Sequence, residues 1–122
     1  GTMAPSFFVP FFGNQLPKKE EIMQEKQLVE YLKGACPGRA CIAKGTELEA
    51  ALHVSGNELR KMVNRLRRRG VPIASSREGY FYAVNAGEVY ATIRQLQSMV
   101  RGLEGAISGL EKALEGFCGD EE

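Results

Sequence analysis

The sequence predicts a mainly α fold of the α+β class: helices around one short hairpin, with a long helix at the C-terminal end. Three observations carry this expectation. Apolar residues recur at helical spacing through the basic segment Ser55–Arg69. A turn-like Ser76-Arg77-Glu78-Gly79 stands between two β-prone runs. From Val89 to Phe117 the apolar residues step alternately by four and three, as in a heptad repeat.

The chain has 122 residues, enough for one domain and an extension. No apolar run approaches the roughly 20 residues that span a bilayer, so no membrane partner is expected. The net charge of +1 hides an uneven distribution. Ser55–Gly79 holds seven basic residues against two acidic ones, +5; Arg101 to the end holds two against six, −4. A basic middle suits an anionic partner, and the acidic end implies a different role. Cys36, Cys41 and Cys118 are an odd number with no signal peptide, which points to a reducing, cytoplasmic setting. Cys36 and Cys41 bracket four residues without a second ligand pair, and His53 is the sole histidine, so neither a metal nor a cofactor is expected.

The elements follow in order. Gly1-Thr2-Met3 reads as a cloning remnant around a start methionine. Residues 1–17 form an arm in which Phe7, Phe8, Phe11 and Phe12 are interrupted by proline and glycine. Four aromatics so close together favour docking on the domain, a second subunit or a partner, and disorder is the alternative. Lys18–Lys33 reads as a helix with Ile22, Leu28, Val29 and Leu32 on one stripe. Glu25 falls on that stripe, so its first turns are expected to be half buried. Gly34 closes the helix, Ala35–Ala40 is a loop, and Cys41-Ile42-Ala43 is a minor strand. Thr46 and Glu49 form a capping box for a short helix ending near His53.

The connection His53-Val54-Ser55 leads into the basic helix. Ser55 and Glu58 form its capping box, Leu59, Met62, Val63 and Leu66 its buried face, and Gly70 with Pro72 its stop. Two short helices joined so tightly fit a helix-turn-helix. The other face carries Asn57, Arg60, Lys61, Asn64, Arg65, Arg67 and Arg68. Asparagine matches adenine and arginine matches guanine by paired hydrogen bonds in a major groove. The plainer alternative for such a face is solvated surface charge. Val71–Ser75 and Tyr80–Val84 are the hairpin strands, with Tyr80, Phe81 and Tyr82 assigned to packing.

Asn85-Ala86-Gly87-Glu88 is a further N-cap pattern before the long helix. Its a positions are Ile93, Val100, Ile107 and Leu114; its d positions are Val89, Leu96, Leu103, Leu110 and Phe117. These nine residues are the expected oligomerisation seam. Branched a with leucine d favours two parallel strands, while Thr92, Met99, Ala106 and Ala113 at g also admit antiparallel or four-helix packing.

The order helix, minor strand, helix, basic helix, hairpin is that of a winged helix-turn-helix, here with a long C-terminal coiled-coil-like helix. Three stretches carry a resemblance to the winged helix-turn-helix of the biotin operon repressor type: Thr46–Ser55, Glu58–Ile73 and Gly79-Tyr80-Phe81-Tyr82. In that pattern Leu-Gly-Val-Ser makes the turn, Leu-Arg-x-x-Gly ends the recognition helix and Gly-Tyr opens the last wing strand. The chain is also similar to small prophage-type winged-helix proteins. The likeness covers about Glu20–Val84 and departs at His53, where the family's turn has glycine. It does not extend to the repressor's ligase domain, so it implies no enzyme activity.

The resemblance implies roles residue by residue. Ser55, Gly56, Asn57 and Arg60 meet base edges or nearby phosphates, with Lys61 and Asn64 one turn further on. Arg65, Arg67 and Arg68 contact phosphate, giving affinity and salt dependence. Ser76 and Arg77 lie at the wing tip, and Thr46 touches phosphate from the preceding helix. The organisation is an arm at 1–17, a winged-helix domain at 18–84, an oligomerisation helix at 85–118 and an acidic tail at 119–122.

The function expected is an oligomeric double-stranded-DNA-binding protein, a homodimer or tetramer and most simply a sequence-specific transcription regulator. Helix 55–69 reads the major groove, and wing 75–79 meets the backbone or minor groove. The alternative is a winged-helix protein-interaction module, a replication or prophage accessory factor without specific readout. No nucleophile–base pair, phosphate loop or metal set appears, so an enzyme is not expected.

Overall fold

A computed structural model describes residues 19–121, with side chains to residue 117. The phenylalanine-rich arm lies outside the described residues. The element order is α1 (Lys19–Ala35), a 3₁₀ turn (Arg39–Cys41), α2 (Gly45–Leu52), α3 (Gly56–Arg68), β1 (Ile73–Ser76), β2 (Gly79–Tyr82) and α4 (Ala86–Glu121). The chain is mainly helical, with one two-stranded antiparallel sheet. Among the described residues no helix is long and apolar enough to cross a membrane.

The apolar stripes meet in one core. Leu28 and Leu32 of α1, Leu48 and Leu52 of α2, and Leu59, Met62, Val63 and Leu66 of α3 are buried together with Ile73, Ala74 and Phe81. The α3 stripe buries the four residues that its periodicity picks out. In the hairpin, Ile73 pairs with Tyr82 and Ser76 with Gly79. Phe81 faces the core while Tyr80 and Tyr82 pack at its edge, which is the alternation expected of a strand.

Four local expectations are corrected. The minor strand at 41–43 shrinks to one bridge, in which Ala43 and Tyr80 exchange two backbone hydrogen bonds of 2.9 Å. Residues 39–41 are instead wound into the 3₁₀ turn, and of the extended Ile42 and Ala43 only Ala43 pairs. Second, α2 starts at Gly45, and its cap is formed by Glu47, whose carboxylate accepts from the Lys44 backbone N–H at 2.9 Å. Thr46 therefore sits exposed inside the first turn instead of capping it. Third, the first turns of α1 are not evenly half-buried: Ile22 is 51% exposed and Glu25 only 3%, while Leu28 and Leu32 are buried as expected. Fourth, α4 runs past Phe117 to Glu121.

His53 adopts the left-handed conformation, φ 57° and ψ 48°, as the C-cap of α2. This is the geometry a turn glycine supplies without strain. Histidine can occupy it because it is among the residues that tolerate this region better than most.

Gly79 is required for a different reason. Its φ is 153°, and a Cβ placed there would stand 2.0 Å from the Ala43 carbonyl oxygen. Relief would pull β2 off Ala43 and break both bridge hydrogen bonds. Gly79→Ala is accordingly expected to cost more than about 3 kcal/mol, combining backbone strain with lost pairing. Thermal unfolding would check this, and a midpoint within a few degrees of the parent's would contradict it.

The start of α4 is fixed by Glu88. The Asn85 side chain accepts from the Glu88 N–H at 2.9 Å, and the Glu88 carboxylate accepts from the N–H groups of Val84 (2.9 Å) and Arg39 (3.0 Å). These bonds, Val84's first, hold the Glu88 carboxyl below the usual carboxylate range. They also tie the 36–41 loop to the helix. Cys36 is buried in that loop and Cys41 exposed, both as free thiols. Burial, with Cys41 and Glu47 nearby, pushes the Cys36 thiol pKa up.

Candidate nucleic-acid interface

The Ser55 hydroxyl accepts from the Glu58 N–H at 3.1 Å, and the Glu58 carboxylate accepts from the Ser55 N–H at 2.9 Å. Two of the end's orphan donors are thereby satisfied, and the helix begins at a defined residue. With Leu59, Met62, Val63 and Leu66 anchored inward, the opposite stripe is forced outward. Asn57, Arg60, Lys61, Asn64 and Arg68 are all exposed, at offsets of three and four that align them along one face. Apart from the capping Ser55–Glu58 pair, none of the hydrogen bonds or ion pairs described within the chain engages this face.

The hairpin tip stands beside this stripe. Ser76 folds back to accept the Glu78 N–H at 3.1 Å, and Arg77 is exposed at the tip. Between them lies a cleft of about 550 Å³ whose walls include Arg60, Asn64, Ser76, Arg77, Gln95 and Met99. Its cationic and amide groups suit an anionic ligand with hydrogen-bonding edges. Ser55 lies exposed at the two-helix connection, and Thr46 is exposed in the first turn of α2.

Two expected contacts are otherwise engaged. Arg67 is half-buried; its Nε donates to the Ile73 carbonyl at 2.8 Å and its Nη2 to Ser75 Oγ at 3.0 Å. Burial lowers its pKa from the ordinary arginine value. Arg67 is thus a strut between α3 and β1, and its fork is not free for a phosphate. Arg65 turns to α1, where its Nε lies 2.6 Å from a Glu25 carboxylate oxygen; Arg69 Nη2 holds the other oxygen. The Glu25 side chain is 4% exposed, so these cations neutralise a buried charge. A glutamate on an apolar stripe was the sequence signal of this bridge, and its partners were not legible from spacing.

Removing one cation leaves that buried carboxylate undercompensated. Arg65→Ala is expected to cost about 2 kcal/mol, below the full penalty of an unpaired buried charge because Arg69 remains. Glu25→Leu removes the charge altogether and is expected to stay within about 1 kcal/mol of the parent. Urea midpoints at equal protein concentration would compare them; the reverse order would remove the argument.

Sequence reasoning missed Gln95 and Met99. Both belong to α4, whose packing on β1 brings them to the cleft. Thr92 is 6% exposed; its hydroxyl accepts the Ser75 N–H at 3.2 Å and donates to the Glu88 carbonyl at 3.2 Å. Ser75 Oγ donates to Gln95 Oε1 at 3.3 Å. Arg67, Ser75, Thr92 and Gln95 therefore lock α3, β1 and α4 together.

Of the nine seam residues, Val89 and Leu96 are half-buried against the body. The other seven are exposed, from 40% at Ile93 to 71% at Leu110. Among the described residues no three His, Cys, Asp or Glu side chains gather as metal ligands would. Set against models of protein families, characterised proteins and solved structures, the chain matches none.

Proposed function

We propose that this chain is an oligomeric double-stranded-DNA-binding protein, most simply a sequence-specific transcription regulator. In this reading α2 and α3 are a helix-turn-helix, β1 and β2 are its wing, and the whole is a winged helix. The observation that carries it is the exposed stripe Asn57, Arg60, Lys61, Asn64 and Arg68, with Arg77 across the same cleft. A stripe of donors free of partners, on a helix braced from behind, is what major-groove readout needs. Asn57, Arg60 and Asn64 are the base readers; Lys61, Arg68 and Arg77 contact phosphate, with Thr46 and Ser55 at the backbone nearby. The α4 seam joins copies, so that two heads bind two half-sites and each raises the effective concentration of the other.

Selection from a random duplex pool at two salt concentrations tests the proposal. Enrichment of a repeated or palindromic half-site at both salts is expected. Binding that enriches nothing and vanishes with salt would leave only non-specific attraction. The exposed seam and cleft would then be the surfaces of a protein-interaction module.

A further inference from the structure

We infer that α4 pairs with α4 of a second copy in antiparallel orientation, and that the groove at the foot of α4 receives Phe117 of the partner subunit. This rests on the self-association in the proposed function and adds its direction and register. The groove has a volume of about 310 Å³ and is lined by Val71, Pro72 and Ile73 of the body and by Val89, Ile93 and Leu96 of α4. It is where the a and d stripe runs into the body.

Three observations favour this occupant. First, the body stands beside the stripe at its N-terminal end. A parallel partner would bring its own body to the same level, whereas an antiparallel partner brings the outer half of its α4, exposed from Gln97 to Phe117.

Second, the stripe is complementary to itself when reversed. With the pair centred between Leu103 and Ile107, Ile93 faces the partner's Phe117, Leu96 faces the partner's Leu114, Val100 faces the partner's Leu110 and Leu103 faces the partner's Ile107. Each contact sets an a residue against a d residue. All seven exposed seam residues, including Phe117 at 66% exposure, are covered in this register.

Third, charge divides along the helix. Arg94 and Arg101 outweigh Glu88 in the first half of α4, and Glu104, Glu111 and Glu115 outweigh Lys112 in the second. Reversal lays basic half beside acidic half; a parallel pair would lay like beside like.

The orientation decides where the reading heads sit. Each head is locked to α4 at Thr92, so the antiparallel register holds the two anchor points about 40 Å apart along the bundle, from the helical rise. A parallel pair would hold them at the helix spacing of about 10 Å.

Photocrosslinking of the full chain with p-benzoylphenylalanine at position 117, without DNA, tests the inference. Mass spectrometry of the dimer is expected to locate adducts on residues 71–73 or 89–96. Adducts on residues 110–118, or no interchain adduct from a dimer, would overturn it. A monomer by sedimentation would overturn it together with the self-association and the double-site gain, and none of these outcomes bears on whether a single head binds DNA. As a second arm, this register brings Arg101 within about 3 Å, along the axis, of the level of Glu111 of the partner subunit, so Arg101→Glu and Glu111→Arg are each expected to weaken the dimer about three- to tenfold, with the double variant restored. Lack of restoration would count against the register.

Discussion

Arg60→Ala combined with Asn64→Ala is expected to abolish discrimination among DNA sequences while leaving the fold intact. Both side chains are exposed on α3 and engage nothing else described in the chain. Their removal creates no cavity and no unpaired buried group. A well-made paired contact to a base is worth about 1–3 kcal/mol of discrimination. Losing two should lower the preference for the selected site over random duplex by about a hundredfold or more. Residual binding should remain, carried by Lys61, Arg68 and Arg77. Arg68→Ala should instead weaken all sequences alike and lower the salt slope by about one. Competition binding at fixed salt separates these outcomes, and unchanged selectivity in the double variant would remove α3 as the reader.

Leu103→Asp is expected to produce monomers and to melt the outer half of α4. Every residue from Gln97 to Phe117 is exposed in one chain, so among the described residues nothing in the protomer supports this half. Gly102, Gly105, Gly109 and Gly116 lie within it. Each weakens a helix by about 1 kcal/mol relative to alanine. Leucines and isoleucines each recover about 1.5–3 kcal/mol on burial, and none of the described residues of the same chain buries them. A carboxylate at a d position costs several kcal/mol in such a seam, since it must be desolvated or protonated. Light scattering should report the mass of one chain, and circular dichroism a loss of helix signal. An unchanged mass would move the interface elsewhere. If two heads act together, the same variant should also lose the gain in affinity from a double site, leaving single-site binding unchanged.

Local features of the fold were legible in the chain itself. The α3 stripe, its Ser55–Glu58 cap, the Asn85 cap and the hairpin follow from neighbours within four residues of one another, where spacing and chemistry act directly. Boundaries slipped where two local solutions competed, as at Lys44–Glu47 against Thr46–Glu49, or where an extended triplet lost to a 3₁₀ turn. At His53 the turn's demand for a left-handed residue outweighed the side chain's preference.

The sequence by itself determined which residues of α3 face inward, where a basic helical face lies and that a heptad stripe follows it, because periodicity alone dictates which side chains share a face. Only the tertiary structure decided which cations are free. Arg65 and Arg69 are held by Glu25 from about forty residues earlier in the chain, and Arg67 by β1; Asn57, Arg60, Lys61 and Asn64, on the same helix, remain open. It also decided that Gln95 and Met99 border the cleft and that Val89 and Ile93 border a groove. The physical reason is the same in each case. An arginine's chemistry is identical wherever it stands in a helix, and whether it meets a buried carboxylate, a carbonyl or water depends on elements far away in sequence.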